Sequence, residues 1–121
     1  FSSSEKAAVE FRSGDAMANP YLLFCVIIAA GKDGINRKLV PPEPRSEDVF
    51  HMTDEERNKH GIKMLPTTLK DALDCLEADT VILDAIGPGI AKNYIKLKRN
   101  EWIEYSNHIV TDWEWDMYKD L

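Results

Sequence analysis

The sequence predicts a mainly α fold with a single strand near its N-terminus. Three observations lead there. Val9-Glu10-Phe11-Arg12 alternates apolar and charged residues, the period-two signature of a strand with one buried face. Behind it, Asn19-Pro20 precedes an unbroken apolar run over residues 21–30. From Thr53 onward the chain is punctuated by helix-start and helix-stop residues at short intervals, with no second strand pattern.

In order, Val9 and Phe11 face one side of the strand and Glu10 and Arg12 the other, at the mouth of a turn at Ser13-Gly14-Asp15. Asn19 can cap a helix whose first residue is Pro20, a position where the missing N–H costs nothing. The run over residues 21–30 is apolar on every side, which predicts burial all round. This helix stops at Gly31 or continues through Ile35. Val40-Pro41-Pro42-Glu43-Pro44 reads as an extended, polyproline-like linker. It marks a boundary between residues 1–40 and a helical portion, residues 41–121.

Helices then follow closely. Thr53 and Glu56 form a capping box for a short helix ending before Gly61. Thr67 or Thr68 caps the next, with Leu69, Ala72, Leu73 and Leu76 on one face. Asp79 caps a third ending at Gly87, and Pro88 opens a longer one to about His108, with Ile90, Tyr94, Leu97 and Tyr105 as its inner stripe. Thr111 with Glu114 is a second capping box, for a helix carrying Trp113, Trp115, Met117 and Tyr118.

With 121 residues and a formal charge of -6, a general nucleic-acid or anionic-membrane surface is disfavoured. The run over residues 21–30 is too short to span a bilayer. Cys25 and Cys75 lack metal or redox spacing and read as free thiols of a reducing cytoplasm, Cys25 buried. The chain opens Phe1-Ser2-Ser3-Ser4 without a methionine, and one strand cannot satisfy its own backbone or cover its face. A piece of a larger protein is therefore expected.

An arbitrary Glu-x-Arg is usually an exposed ion pair. Here the context is specific. Glu10-Phe11-Arg12 with Asp15, then Asn19-Pro20-Tyr21-Leu22, then Ala29-Ala30-Gly31, Asp33-Gly34-Ile35 and Pro41-Pro42 follow in order. Thr53-Asp54-Glu55-Glu56-Arg57, Gly61-Ile62-Lys63, Leu65-Pro66, Leu69 to Leu76, Tyr94, Glu101-Trp102, Trp113-Glu114 and Tyr118 continue the series. Together they closely resemble the C-terminal catalytic region of glutamine synthetase of the bacterial and archaeal type I class. The resemblance covers essentially the whole chain.

It implies the helical C-terminal portion of an α/β catalytic domain, a fragment of an α+β architecture. It also implies ATP-dependent ligation of ammonia to glutamate through a γ-glutamyl phosphate, with the chain inactive alone. Glu10 is then a ligand to one of two divalent cations, Mg2+ or Mn2+. Arg12 is the catalytic residue that binds the transferred phosphate. A carboxylate for a hard cation and a guanidinium for phosphate oxygens suit that chemistry. Asp15 and Asn19 support the site, Asp15 by turning the chain and Asn19 by capping the helix behind it. The implied partners are ATP, glutamate, ammonia and further copies of the chain in two stacked hexameric rings. The Trp113–Trp115 helix is the inter-ring anchor.

Some residues depart from the family's pattern. Phe50 stands where many type I enzymes carry the tyrosine that is adenylylated, so that switch should be missing. Ala8 replaces a basic residue near the nucleotide, for which Lys6 can compensate. Gly14 loosens the turn, and Lys32 suggests an exposed helix end. Gly31-Lys32 is no P-loop. His51, His60 and His108 have no metal spacing. Lys92, Lys96, Lys98 and Arg99, set among Glu101 and Glu104, read as a solvated face. Two alternatives stay open: a ligase joining glutamate to another amine, and a non-catalytic helical interaction module.

Overall fold

The computed structural model describes residues 8–121. Among them six α-helices form in the order α1 (Pro20–Asn36), α2 (Asp54–Lys59), α3 (Leu69–Ala78), α4 (Thr80–Ile86), α5 (Pro88–His108) and α6 (Asp112–Tyr118), with a 3-10 turn at Val49–His51 before α2. α1 packs against α4, α5 against α3 and α4, and α3 against α4. The short α4 is thus the hub, and α1 reaches it across the proline-rich segment, which has no regular structure.

Local chemistry sets the helix ends. Asn19 Oδ1 accepts from the Tyr21 and Leu22 N–H groups at 3.0 and 3.2 Å. Thr53 with Glu56 and Thr111 with Glu114 form complete capping boxes, each hydroxyl accepting from the N3 amide while the glutamate accepts from the cap. Thr68, not Thr67, caps α3, and Asp79 caps α4 by accepting from Ile82 N–H at 3.0 Å. Gly87, at φ +87°, lets α4 stop and α5 restart at Pro88 without a side-chain clash.

The strand predicted over Val9-Glu10-Phe11-Arg12 does not form: among the described residues there is no strand. A strand needs an adjacent strand for its N–H and C=O groups, and none lies beside this segment. Val9 is accordingly 94% exposed, and Phe11 is exposed too. The fold is mainly α, as expected, without the sheet edge.

α1 runs through Gly31 to Asn36, but it is not buried all round. Leu22, Val26 and Ala29 are half-buried, whereas Tyr21, Phe24 and Ile28 lie on an exposed face. A single short neighbour, α4, cannot cover an apolar cylinder. Among the described residues only Leu73, at 2% exposure, and Ala91, at 3%, are buried. On α3, Leu69, Leu73 and Leu76 point inward and Ala72 does not. On α5 the inner stripe is Ala91, Tyr94 and Ile95, while Ile90, Leu97 and Tyr105 are exposed. Cys25 is half-buried, its Sγ 3.2 Å from the Ala85 carbonyl oxygen, and Cys75 is exposed. Among the described residues no helix is long and apolar enough to cross a membrane.

Candidate functional site

The N-terminal segment holds the candidate site. Arg12 Nε donates to Glu10 Oε1 at 2.7 Å, joining two side chains that are 82% and 73% exposed. Residues two apart in a non-helical chain share a side, so the pair forms without a sheet. Nε is the only Arg12 donor engaged among the described residues; the two terminal Nη groups have no partner among them. A guanidinium presenting two Nη groups has the geometry of a fork for bidentate phosphate binding.

A stiff turn follows. The Met17 N–H donates to Asp15 Oδ1 at 2.7 Å, and the Ala18 N–H donates to the Asp15 carbonyl at 3.0 Å. Asn19 then caps α1, so the segment leaves the helix in a defined direction. Gly14 sits beside Leu23 and Phe11; a Cβ there would lie 3.5 Å from Leu23 Cδ2, an ordinary contact. Ala8 is exposed, and Lys6 lies outside the described residues.

Among the described residues no group of three or more His, Cys, Asp or Glu side chains is arranged to hold a metal ion. Glu10 fits a divalent cation as one oxygen donor, and further donors would have to come from elsewhere.

Phe50 is 87% exposed on the 3-10 turn, edge-on to His51 at 5.2 Å between ring centroids. Asp48 caps that turn, accepting from Phe50 N–H at 3.1 Å, and its Oδ2 lies 2.6 Å from His51 Nδ1. The His51 hydrogen bond, followed by the turn's amides, holds the Asp48 carboxyl below its ordinary value. Trp113 and Trp115 are exposed on α6, with Trp113 and Tyr118 edge-to-face. Asp15 and Asn19 lie in the turn next to the Glu10–Arg12 pair, whereas Phe50 lies on another segment, beyond the proline-rich stretch.

The family profile for glutamine synthetase, catalytic domain, matches residues 2–118. The chain belongs to the glutamine synthetase family. It is 44% identical over 110 residues to a glutamine synthetase of Methanocaldococcus jannaschii, covering 91% of this chain and 24% of the relative. A Thermotoga maritima glutamine synthetase is 43% identical over 110 residues, covering 91% and 25% respectively. A Thermus thermophilus glutamine synthetase is 44% identical over 109 residues, covering 90% and 24%. The chain thus spans about a quarter of the length of these curated relatives.

One feature of the charged surface escaped the sequence reading. Arg99 is not part of a solvated face: it crosses to α3, where Nη2 meets Asp74 Oδ1 and Glu77 Oε2 at 2.5 and 2.6 Å. Helical periodicity locates a charge on its own helix but not the helix opposite.

Proposed function

We propose that this chain provides one edge of the active site of an ATP-dependent glutamate–ammonia ligase. The observation that carries the reading is the Glu10–Arg12 pair, 2.7 Å apart, with no other partner for the guanidinium among the described residues, inside the stretch matched by the glutamine synthetase catalytic-domain family. In the reaction, the glutamate γ-carboxylate attacks the γ-phosphorus of ATP and ADP leaves. Ammonia then attacks the γ-glutamyl phosphate, losing a proton as phosphate departs.

Arg12 binds the transferred phosphoryl oxygens through its Nη groups and offsets their developing charge. Glu10 holds the Arg12 fork and is one donor to a divalent cation, Mg2+ or Mn2+, which neutralises phosphate charge when bound. Asp15 and Asn19 aim the pair. One carboxylate and one arginine do not complete such a site, so the 121-residue chain is inactive alone. The working form is a cytoplasmic homo-oligomer of stacked hexameric rings in which α6 reaches a neighbouring copy. Phe50, lacking a hydroxyl, leaves it without adenylylation at that position.

A chimera tests the reading. This chain replaces the matching segment of the Thermotoga maritima enzyme, and glutamine formation is followed with ammonia and with a panel of other amines. Glu10→Gln and Arg12→Ala are each expected to lower kcat by about 10²–10³-fold, with assembly intact by light scattering. Full activity in the Glu10→Gln chimera overturns the assignment, and a preference for another amine redirects it within the ligase class.

A further inference from the structure

Two cavities meet at one wall behind the Glu10–Arg12 segment. An apolar cavity of about 230 Å³ is bounded by Leu22, Val26, Leu76, Ile82 and Ile86. A wider groove of about 650 Å³ is bounded by Ser13, Asp15, Leu65, Leu69 and Lys98. Three residues line both: Ala18, Asn19 and Tyr94. Ala18 and Asn19 immediately precede α1, whereas Tyr94 stands half-buried on α5, which packs on α3 and α4.

We infer that Tyr94 is a positioning residue for the Glu10–Arg12 pair, backing the Asp15–Asn19 turn from α5. The inference rests on the functional reading above, which gives that pair its chemistry. The turn is internally hydrogen-bonded through Asp15 and joined to the start of α1 through Asn19, so it moves as a unit. Only Ser13 and Gly14 separate it from Arg12, and a displacement of the turn is therefore passed to the arginine. Asn19 ties the turn to the first turn of α1; from α5, Tyr94 is the residue that lines both cavities beside it. Truncating Tyr94 joins the two cavities and removes the wall behind Ala18 and Asn19. The caps survive, but the turn loses its support on the α5 side.

The test compares Tyr94→Ala, Tyr94→Phe and Leu76→Ala, the last enlarging the apolar cavity without touching the groove. In the 121-residue chain, amide exchange is read at Met17, Tyr21 and Leu22, the donors to Asp15 and Asn19. Tyr94→Ala is expected to speed exchange at all three, with Leu76→Ala and Tyr94→Phe near the parent rate. In the chimera, Tyr94→Ala should lower kcat by at least about tenfold with KM for glutamate held, since a misplacement of 1 Å costs on the order of 10²-fold. Tyr94→Phe should restore it.

Equal effects of Tyr94→Ala and Leu76→Ala on exchange overturn the inference. So does faster exchange with kcat unchanged in a chimera that Glu10→Gln inactivates. If Glu10→Gln leaves the chimera fully active, the functional reading fails instead. The exchange comparison then still decides whether Tyr94 holds the turn.

Discussion

Arg99 on α5 donates from Nη2 to Glu77 Oε2 on α3 at 2.6 Å, and the same nitrogen reaches Asp74 one turn earlier. Lys70 joins the network through Asp74 at 2.8 Å, and Arg99 Nη1 reaches the Lys70 carbonyl at 3.4 Å. With so little buried surface between these helices, the fork helps set their register. Arg99→Ala should lower the denaturation midpoint modestly, with the loss shrinking at high salt because exposed pairs are screened. Arg99→Lys should recover only part of it, since a single ammonium lacks the second nitrogen with which Arg99 reaches the Lys70 carbonyl. Thermal melts at low and high salt read both.

The same network predicts a pH dependence. Hydrogen bonds from Lys70, then Arg99, hold the Asp74 carboxyl below its ordinary 3.8. A group whose folded value is depressed contributes stability that is present above the unfolded value and lost as pH falls through the folded one. Stability should therefore begin to drop as pH passes below about 3.8. Glu56 and Glu114, held below 4.5 chiefly by the backbone amides of Thr53 and Thr111, add a parallel loss starting slightly higher. Denaturant melts across the acid range should show a shallower decline in Lys70→Ala/Arg99→Ala.

Leu73 is one of two buried residues among those described, and its helix α3 packs against α4 and α5. Leu73→Ala should destabilise by about 2–3 kcal/mol, the lower part of the range for a buried leucine, because the open surroundings can relax into the space. Leu97→Ala, on the exposed side of α5, should change stability by less than about 0.5 kcal/mol. Urea midpoints of the two variants, at matched slopes, check the contrast.

What was legible in the sequence follows from the range of the forces involved. Caps act over three or four residues, so Asn19, Thr53, Asp79 and Thr111 announced their helices, and Gly87-Pro88 announced the break between two. The Glu10–Arg12 pair is equally local, because side chains two apart meet whether or not a sheet forms. The strand was misread because alternation reports a face suited to burial and not the neighbour that would bury it. The same gap explains α1, whose all-round apolar surface is covered only on the α4 side. It also explains Arg99, whose partners lie 22 and 25 residues earlier in the chain. The Tyr94 junction joins residues more than 70 positions apart and has no local signature.

The exposed face of α1 yields the last prediction. Tyr21, Phe24 and Ile28 recur at spacings of three and four and line one side of the helix, away from the half-buried Leu22, Val26 and Ala29. A contiguous apolar stripe of this kind favours association in water, because docking two such faces removes apolar area at about 25 cal/mol per Å². The 121-residue chain should therefore bind a hydrophobic dye and show a mass that rises with concentration in sedimentation. Phe24→Lys with Ile28→Lys should reduce both, since lysine is well tolerated in helices and its ammonium resists burial. Because both side chains are exposed, the helical circular dichroism should be unchanged. A monomeric, dye-silent parent would show instead that the stripe is too small to drive association. Loss of helicity in the double variant would show that this face carries packing within the chain.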